Sequence, residues 1–286
     1  MHPGPPRHVD GLPRRRRALV MGVLNVTPDS FSDGGRYLDA ARAVEHGRRL
    51  VAAGADLVDV GGESTRPGAH RPGPQEEADR VLPVVTALAG DGAAVSVDTM
   101  RASVAEQAVG AGAVLVNDVS GGRADDEMLA MVARLGTAYV LMHWRAHSRE
   151  MEQHTQYGDV VGDVMSELRE QLDAAVRAGV DPARIAVDPG IGFSKTADQS
   201  WEVLGGMHRL HELGHPVLIA ASRKRFLGAL LADPTGELRP AHLREDATTA
   251  TSALAAVSGA WCVRTHSVGP TLDAVRVAAR WAGRHD

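Results

Sequence analysis

A chain of 286 residues with 44% hydrophobic composition can bury a substantial core, and barrels of about 250 residues commonly form one domain, so one domain is expected. A formal charge of -5 with only 3% aromatic residues argues against nucleic acid as a partner, which favours basic surfaces and stacking platforms, and against an acidic membrane surface. The lone cysteine, Cys262, excludes an intrachain disulfide and suits a reducing cytoplasm.

Residues 1–17, rich in Pro, Gly and Arg, read as a disordered tail ahead of a domain over 18–286. Arg14 to Arg17 followed by the apolar run Ala18 to Leu24 resembles the start of an export signal. That run is short and ends in polar Asn25-Val-Thr-Pro-Asp29, so a buried first strand is the better reading. No stretch approaches the ~20 apolar residues that span a bilayer. From Ala18 onward, short apolar runs alternate with segments of helical period, the pattern of βαβ units around a parallel sheet. The candidate strands are 18–25, 56–61, 94–98, 114–117, 138–143, 185–188, 216–221 and 261–265. Between the fifth and sixth, Val161, Val164, Met165, Leu168, Leu172, Ala175 and Val176 form one stripe of a helix over 160–178, ended by Gly179.

Strand-helix pairs in this number predict a single-domain (β/α)8 barrel of the TIM type, although an open doubly wound sheet gives a similar alternation. Two features favour the barrel: no G-x-G-x-x-G follows the first strand, and nearly every strand ends in a polar residue. In a barrel those ends converge on the catalytic face. They are Asn25, Asp59 with Glu63, Asp98, Asn117 with Asp118, His143, Asp188, Ser222-Arg-Lys224, and Arg264 with His266.

Asp98, Asn117 and Asp188, on three different strands, can jointly read the donor and acceptor edge of a heterocycle. Each also has a blander reading: Asp98 as a helix cap, Asn117-Asp118 as a turn, and Asp188-Pro-Gly190 as another turn. Arg264 and His266 alternate, so both side chains can face one way, and Arg suits bidentate contact with phosphate oxygens. Lys224 can serve a carbonyl or a phosphate, while Arg223-Lys-Arg225 also reads as a solvated patch. The loops Thr27 to Gly35 and Glu63 to Gly68, rich in Gly, Pro and hydroxyl residues, read as lids. A hard-cation site with Asn25 and Asp29 nearby fits Mg2+, and no His/Cys cluster has zinc spacing.

Met21-Gly-Val-Leu-Asn-Val-Thr-Pro-Asp-Ser-Phe-Ser-Asp-Gly34 and Asp59-Val-Gly-Gly-Glu-Ser-Thr-Arg-Pro-Gly68 resemble the two signature segments of dihydropteroate synthases. Ser96-Val-Asp-Thr99, Val116-Asn-Asp-Val-Ser-Gly121, Asp188-Pro-Gly-Ile-Gly-Phe193 and Ser222-Arg-Lys224 fall in the same family order, and the likeness runs from about Val20 to Ala282. The resemblance implies that p-aminobenzoate displaces diphosphate from 6-hydroxymethyl-7,8-dihydropterin diphosphate to give 7,8-dihydropteroate, a step of folate biosynthesis. It implies that Asp98, Asn117, Asp188 and Lys224 hold the pterin with Met142 in its pocket. Asn25 would ligate Mg2+, and Arg66, Arg264 and His266 would take the diphosphate with it. Thr65, Pro67, Phe193 and Ser222 would shape the aminobenzoate pocket.

In this scheme Asp98, Lys224, Arg264 and His266 carry catalysis, because loss of diphosphate leaves a methylene cation that needs charge stabilisation rather than a nucleophile. The family is often homodimeric, cytoplasmic and a sulfonamide target. One departure stands out: His266-Ser267-Val268 replaces the family's usual His-Asp-Val. The rival readings are a corrinoid-linked methyltransferase, which shares a pterin-binding barrel but needs neither lid motif, and a silent pterin-binding paralogue.

Overall fold

The computed structural model describes residues 7–27, 36–63, 72–147 and 150–284. The strands are β1 (Leu19–Asn25), β2 (Leu57–Gly61), β3 (Val95–Asp98), β4 (Leu115–Asp118), β5 (Ala138–Met142), β6 (Ile185–Asp188), β7 (Leu218–Ile219) and β8 (Cys262–Thr265). All pair in parallel, in the order β6-β5-β4-β3-β2-β1-β8-β7. A parallel bridge between Val187 and Val217 returns β7 to β6, so the sheet curls into a nearly closed barrel. The helices between them are α1 (Arg36–Ala52), α2 (Pro74–Gly90), α3 (Ala102–Gly110), α4 (Met128–Leu135) and α5 (Val160–Arg177). They continue as α6 (Ala197–Gly205), α7 (Met207–Leu210), α8 (Arg225–Leu230), α9 (Glu245–Val257) and α10 (Val268–Trp281).

The predicted strands agree with these bounds to within a residue, except that β7 shrinks from 216–221 to Leu218–Ile219. Pro216 has no N–H for the ladder, and its carbonyl takes the one from Val187 at 2.9 Å. Almost every strand residue is buried because helices cover the outside and the strands' own side chains fill the inside. Val58, Val60, Val97, Val116 and Leu141 belong to the large outer cluster beneath the helices. Met21, Leu57, Leu115, Val140, Ala186 and Leu218 form a separate inner cluster.

Residues 7–17 correct the expectation of a disordered tail, since Val9 and Leu12 join that inner cluster beside the buried Trp261. They close the N-terminal end of the barrel. Arg17 clamps Asp56 through Nη1 at 2.6 Å and Nη2 at 3.1 Å, and Asp56 also accepts the Val20 N–H at 2.9 Å. Two apolar residues among the arginines were too sparse a periodic signal to read as core.

Helix α5 shows how the local pattern becomes packing. Asp159 caps it by accepting the Val161 N–H, Gly179 ends it at φ +94, and Val164 and Leu168 are fully buried. Truncating Leu168 to Ala would therefore cost roughly 2–5 kcal/mol. Val176, placed on the buried stripe by sequence, is 45% exposed, one position past Ala175 where the face turns to solvent. Among the described residues no helix is long and apolar enough to cross a membrane.

Candidate active site

Alternation along each strand decides which polar groups share the interior. Asp59, Asn117, Asp188 and Arg264 follow the inner residues Leu57, Leu115, Ala186 and Cys262 by two positions, so they continue the same columns toward the C-terminal end. There they meet. Oδ2 of Asp59 accepts from Nε of Arg264 at 2.6 Å and from Nδ2 of Asn117 at 3.0 Å, while Nη2 of Arg264 donates to Oδ2 of Asp98 at 2.7 Å. Asp59 is fully buried, and its Oδ1 has no hydrogen-bond partner among the described residues. Asp188 accepts the Gly190 N–H at 2.7 Å, and Lys224 donates to the Ile191 carbonyl with its Nζ 4.6 Å from the Phe193 ring centre.

Of the blander readings, Asp98 is no helix cap, because α3 has Arg101 at its cap and Asp98 spends its carboxylate on Arg264. Asp188 does form a turn, yet it opens at the same end of the barrel as Arg264.

Burial dominates the electrostatics of this cluster. It pushes the carboxyls of Asp98 and Asp188 upward, against the opposing charges of Arg264 on Asp98 and of Lys224 on Asp188. It pulls the Lys224 ammonium down to about 8, with Asp188 resisting. For Arg264, burial works against the charge, but Asp59 and Asp98 outweigh it and raise the guanidinium above its ordinary value. Three carboxylates facing two cations in poorly hydrated surroundings favour a guest that supplies N–H donors and positive character.

The strand-end inventory predicts one cavity for all its polar residues, and the structure divides them. Asp118 points the other way from Asn117, accepting the Tyr139 hydroxyl at 2.8 Å and the N–H groups of Ser120 and Gly122. It is the residue that holds the turn. His143 likewise faces α5, with Nε2 2.9 Å from Glu167. Met142, its neighbour, stays inward in a small apolar cluster with Met100 and Val119, against which Trp144 and Phe193 pack. The carboxylates therefore sit beside an apolar wall built from the ends of β3 to β6.

Asn25, half-buried, pairs in register with Gly61, which pairs with Asp98, itself level with Asn117. Ser222 Oγ lies 2.9 Å from Nδ1 of His266 and accepts the His266 N–H at 3.2 Å. Arg264 and His266 thus have different companions, carboxylates for the first and a hydroxyl for the second. Beside Phe193 and Lys224 opens a cavity of about 730 Å³, also lined by Thr196, Arg223, Phe226 and Arg244. Thr65, Arg66, Pro67 and Asp29 lie outside the described residues. On either side of the second of those segments, Arg101 pairs with Glu63 at 3.2 Å and donates to the Pro72 carbonyl at 2.6 Å, while the buried Glu77 also pairs with it.

The pattern of strand ends leaves three groups without a role: Asp59 as the hub between Arg264 and Asn117, and Lys195 and Glu167 behind His143. Asp59 stands among the polar strand ends in the sequence, but nothing local marks Lys195 or Glu167.

The family profile described as pterin binding enzyme matches residues 21–266. Dihydropteroate synthase of Mycobacterium leprae (strain TN) is 54% identical over 263 residues, 92% of this chain and 93% of the relative. Xanthomonas albilineans dihydropteroate synthase solved with 4-aminobenzoic acid superposes with a TM-score of 0.85 at 43% identity, covering 93% of each chain. The same enzyme in complex with 7,8-dihydropteroate gives a TM-score of 0.82 at 41% identity, over 93% of this chain and 94% of that one. The Yersinia pestis dihydropteroate synthase in a sulfonamide drug complex gives 0.88 at 36% identity, over 99% of this chain and 100% of that one. With its barrel, its inward carboxylates and these matches over nearly its whole length, the chain belongs to the dihydropteroate synthase family of pterin-binding enzymes.

Proposed function

We propose that the barrel mouth binds 6-hydroxymethyl-7,8-dihydropterin diphosphate and joins it to p-aminobenzoate, releasing diphosphate and 7,8-dihydropteroate. The C–O bond from the exocyclic methylene to diphosphate breaks, a C–N bond forms to the arylamine nitrogen, and that nitrogen sheds one proton. Asp98, Asn117 and Asp188 take the donor-rich edge of the pterin, Lys224 its carbonyl, and Met142 one face. As diphosphate departs, positive charge develops on the methylene and spreads into the bicycle, where the carboxylates around Asp59 stabilise it. This carries the reading: Arg264 joins Asp59 and Asp98 within 2.7 Å at the same end of the barrel as Asp188 and Lys224.

The diphosphate falls to Arg66, His266 and Arg264, and the aminobenzoate to Thr65, Pro67, Phe193 and Ser222. The cavity of about 730 Å³ beside Phe193 and Lys224 supports the aminobenzoate side. Sulfonamides, as arylamines with an acidic para group, compete there. Asn25 would hold Mg2+. Among the described residues no three His, Cys, Asp or Glu side chains gather as a metal cage. A single amide oxygen at the end of β1 fits a cation that keeps its waters and borrows substrate oxygens. Bound there with diphosphate, the ion would neutralise charge on the leaving group.

The chain works as a cytoplasmic homodimer in this reading. Leu254 on α9 and Val277 and Trp281 on α10 are 67%, 65% and 76% exposed, an apolar face on two helices that pack against each other. The reaction is tested by following diphosphate release from the pterin diphosphate with and without p-aminobenzoate. Release that depends on the arylamine supports the assignment, and no release under either condition rejects it.

A further inference from the structure

Behind the mouth lies a buried polar chain that the proposed reaction does not use. Nζ of Lys195, in the segment between β6 and α6, lies 3.0 Å from Nδ1 of His143 and donates to the carbonyls of Gly190 at 3.1 Å and Phe193 at 3.2 Å. His143 continues to Glu167 on α5 at 2.9 Å, and Nε of Arg145 reaches that carboxylate at 3.0 Å. An ammonium has only hydrogens to offer, so Nδ1 of His143 must accept, and its Nε2 then carries the proton donated to Glu167. Lys195 is 8% exposed and its three donors meet three acceptors. Burial draws Lys195 down to about 7 and His143 to about 4, as expected for an ammonium and a neutral imidazole kept from water.

The segment this lysine holds has an unusual backbone. Gly190, Gly192 and Ser194 all have positive φ, at 68, 75 and 46. The Gly190 turn aims its N–H at the Asp188 carboxylate, and a Cβ there would stand 2.5 Å from the His143 carbonyl. Ser194 adopts this conformation without glycine's freedom, at a cost on the order of 1 kcal/mol. The strain persists because the carbonyls of Gly190 and Phe193 are bound by Lys195 and that of Ile191 by Lys224.

We propose that Lys195 is a positioning residue that couples the two substrate seats: by holding the Gly190 and Phe193 carbonyls against His143, it sets Asp188 and Phe193 in place together. The inference rests on the reading of Asp188 as a pterin contact and Phe193 as an arylamine contact. A loop displaced by about 1 Å can cost on the order of a hundredfold in rate.

The test compares K195M, K195R and D188N in the full chain, measuring KM for both substrates, kcat, and the fraction folded by circular dichroism. K195M is expected to fold, to raise both KM values about tenfold or more, and to be largely rescued in K195R. Wild-type KM values in folded K195M, or a rise confined to one substrate, would overturn the coupling. Should K195M fail to fold, E167Q decides, since it weakens the far end of the chain without touching the loop: a parallel rise of roughly threefold in both KM values is expected, and unchanged values refute the idea. D188N separates the two levels. Normal pterin binding by D188N would sink the reading of the site, whereas a crippled D188N beside a normal K195M would sink only the role of Lys195.

Discussion

Nε of Arg264 donates to Oδ2 of Asp59 at 2.6 Å across the barrel interior, joining β8 to β2 over 205 positions of sequence. The pair makes Asp59 the support of the mouth, because the same oxygen accepts from Asn117 and the same guanidinium holds Asp98. The carboxylates that would face a pterin are thus oriented by a cation beneath them.

Asp59→Ala leaves a buried guanidinium with one partner instead of two and strips Asn117 of its acceptor. The expected loss is about 3–5 kcal/mol of unfolding free energy, read from urea denaturation. A midpoint equal to that of the parent chain would mean the pair contributes little.

Asp98→Ala should lower turnover by ~100-fold or more, the scale of losing one electrostatic contact to a transition state. Steady-state diphosphate release measures it. Activity near that of the parent would remove Asp98 from the mechanism.

Acid should weaken the fold over two pH windows, one set by His143 and one by Glu167. Burial, with the Lys195 charge, lowers His143 from 6.5 to about 4. Its contribution is therefore complete above pH 6.5 and lost as the unfolded chain takes up a proton between 6.5 and 4. Burial would raise Glu167, but hydrogen bonds from His143 and Arg145 outweigh it and bring it from 4.5 to about 2. Its contribution is complete above 4.5 and lost between 4.5 and 2. The upper window should be worth on the order of 2–3 kcal/mol. Because the raised carboxyls of Asp98 and Asp188 titrate in the opposite sense, the window is read as the difference between denaturation curves of the parent chain and His143→Gln. A loss between 6.5 and 4 that only the parent shows is expected, and parallel curves contradict the assignment.

If two copies join through α9 and α10, Trp281→Asp should convert a particle of two chains into one of a single chain in sedimentation, since the indole is 76% exposed in the isolated chain. A parent chain that already sediments alone at tens of micromolar, roughly the range where weak pairs associate, removes the proposal.

Chelation should lower turnover, and added Mg2+ should restore it. Asn25→Ala should raise the Mg2+ needed for half-maximal rate by roughly tenfold, equivalent to about 1.4 kcal/mol of lost contact. Full activity in excess chelator would show that no metal serves the reaction.

The amino-acid sequence alone determined where the strands lie and which residues end them, because a strand buried on both faces must be a short apolar run and its catalytic end must turn polar. That logic located Asp98, Asn117, Asp188, Lys224 and Arg264. Only the tertiary structure decided which neighbours share the interior: Asn117 and Met142 turn inward while Asp118 and His143 turn to the helices. It also decided that Val9 and Leu12 close the base, that Asp59 joins Arg264 to Asn117, and that Lys195 braces the loop after β6. Barrel closure and stagger bring residues together across as many as 205 positions, and no local period of apolar residues encodes which side chains will meet there.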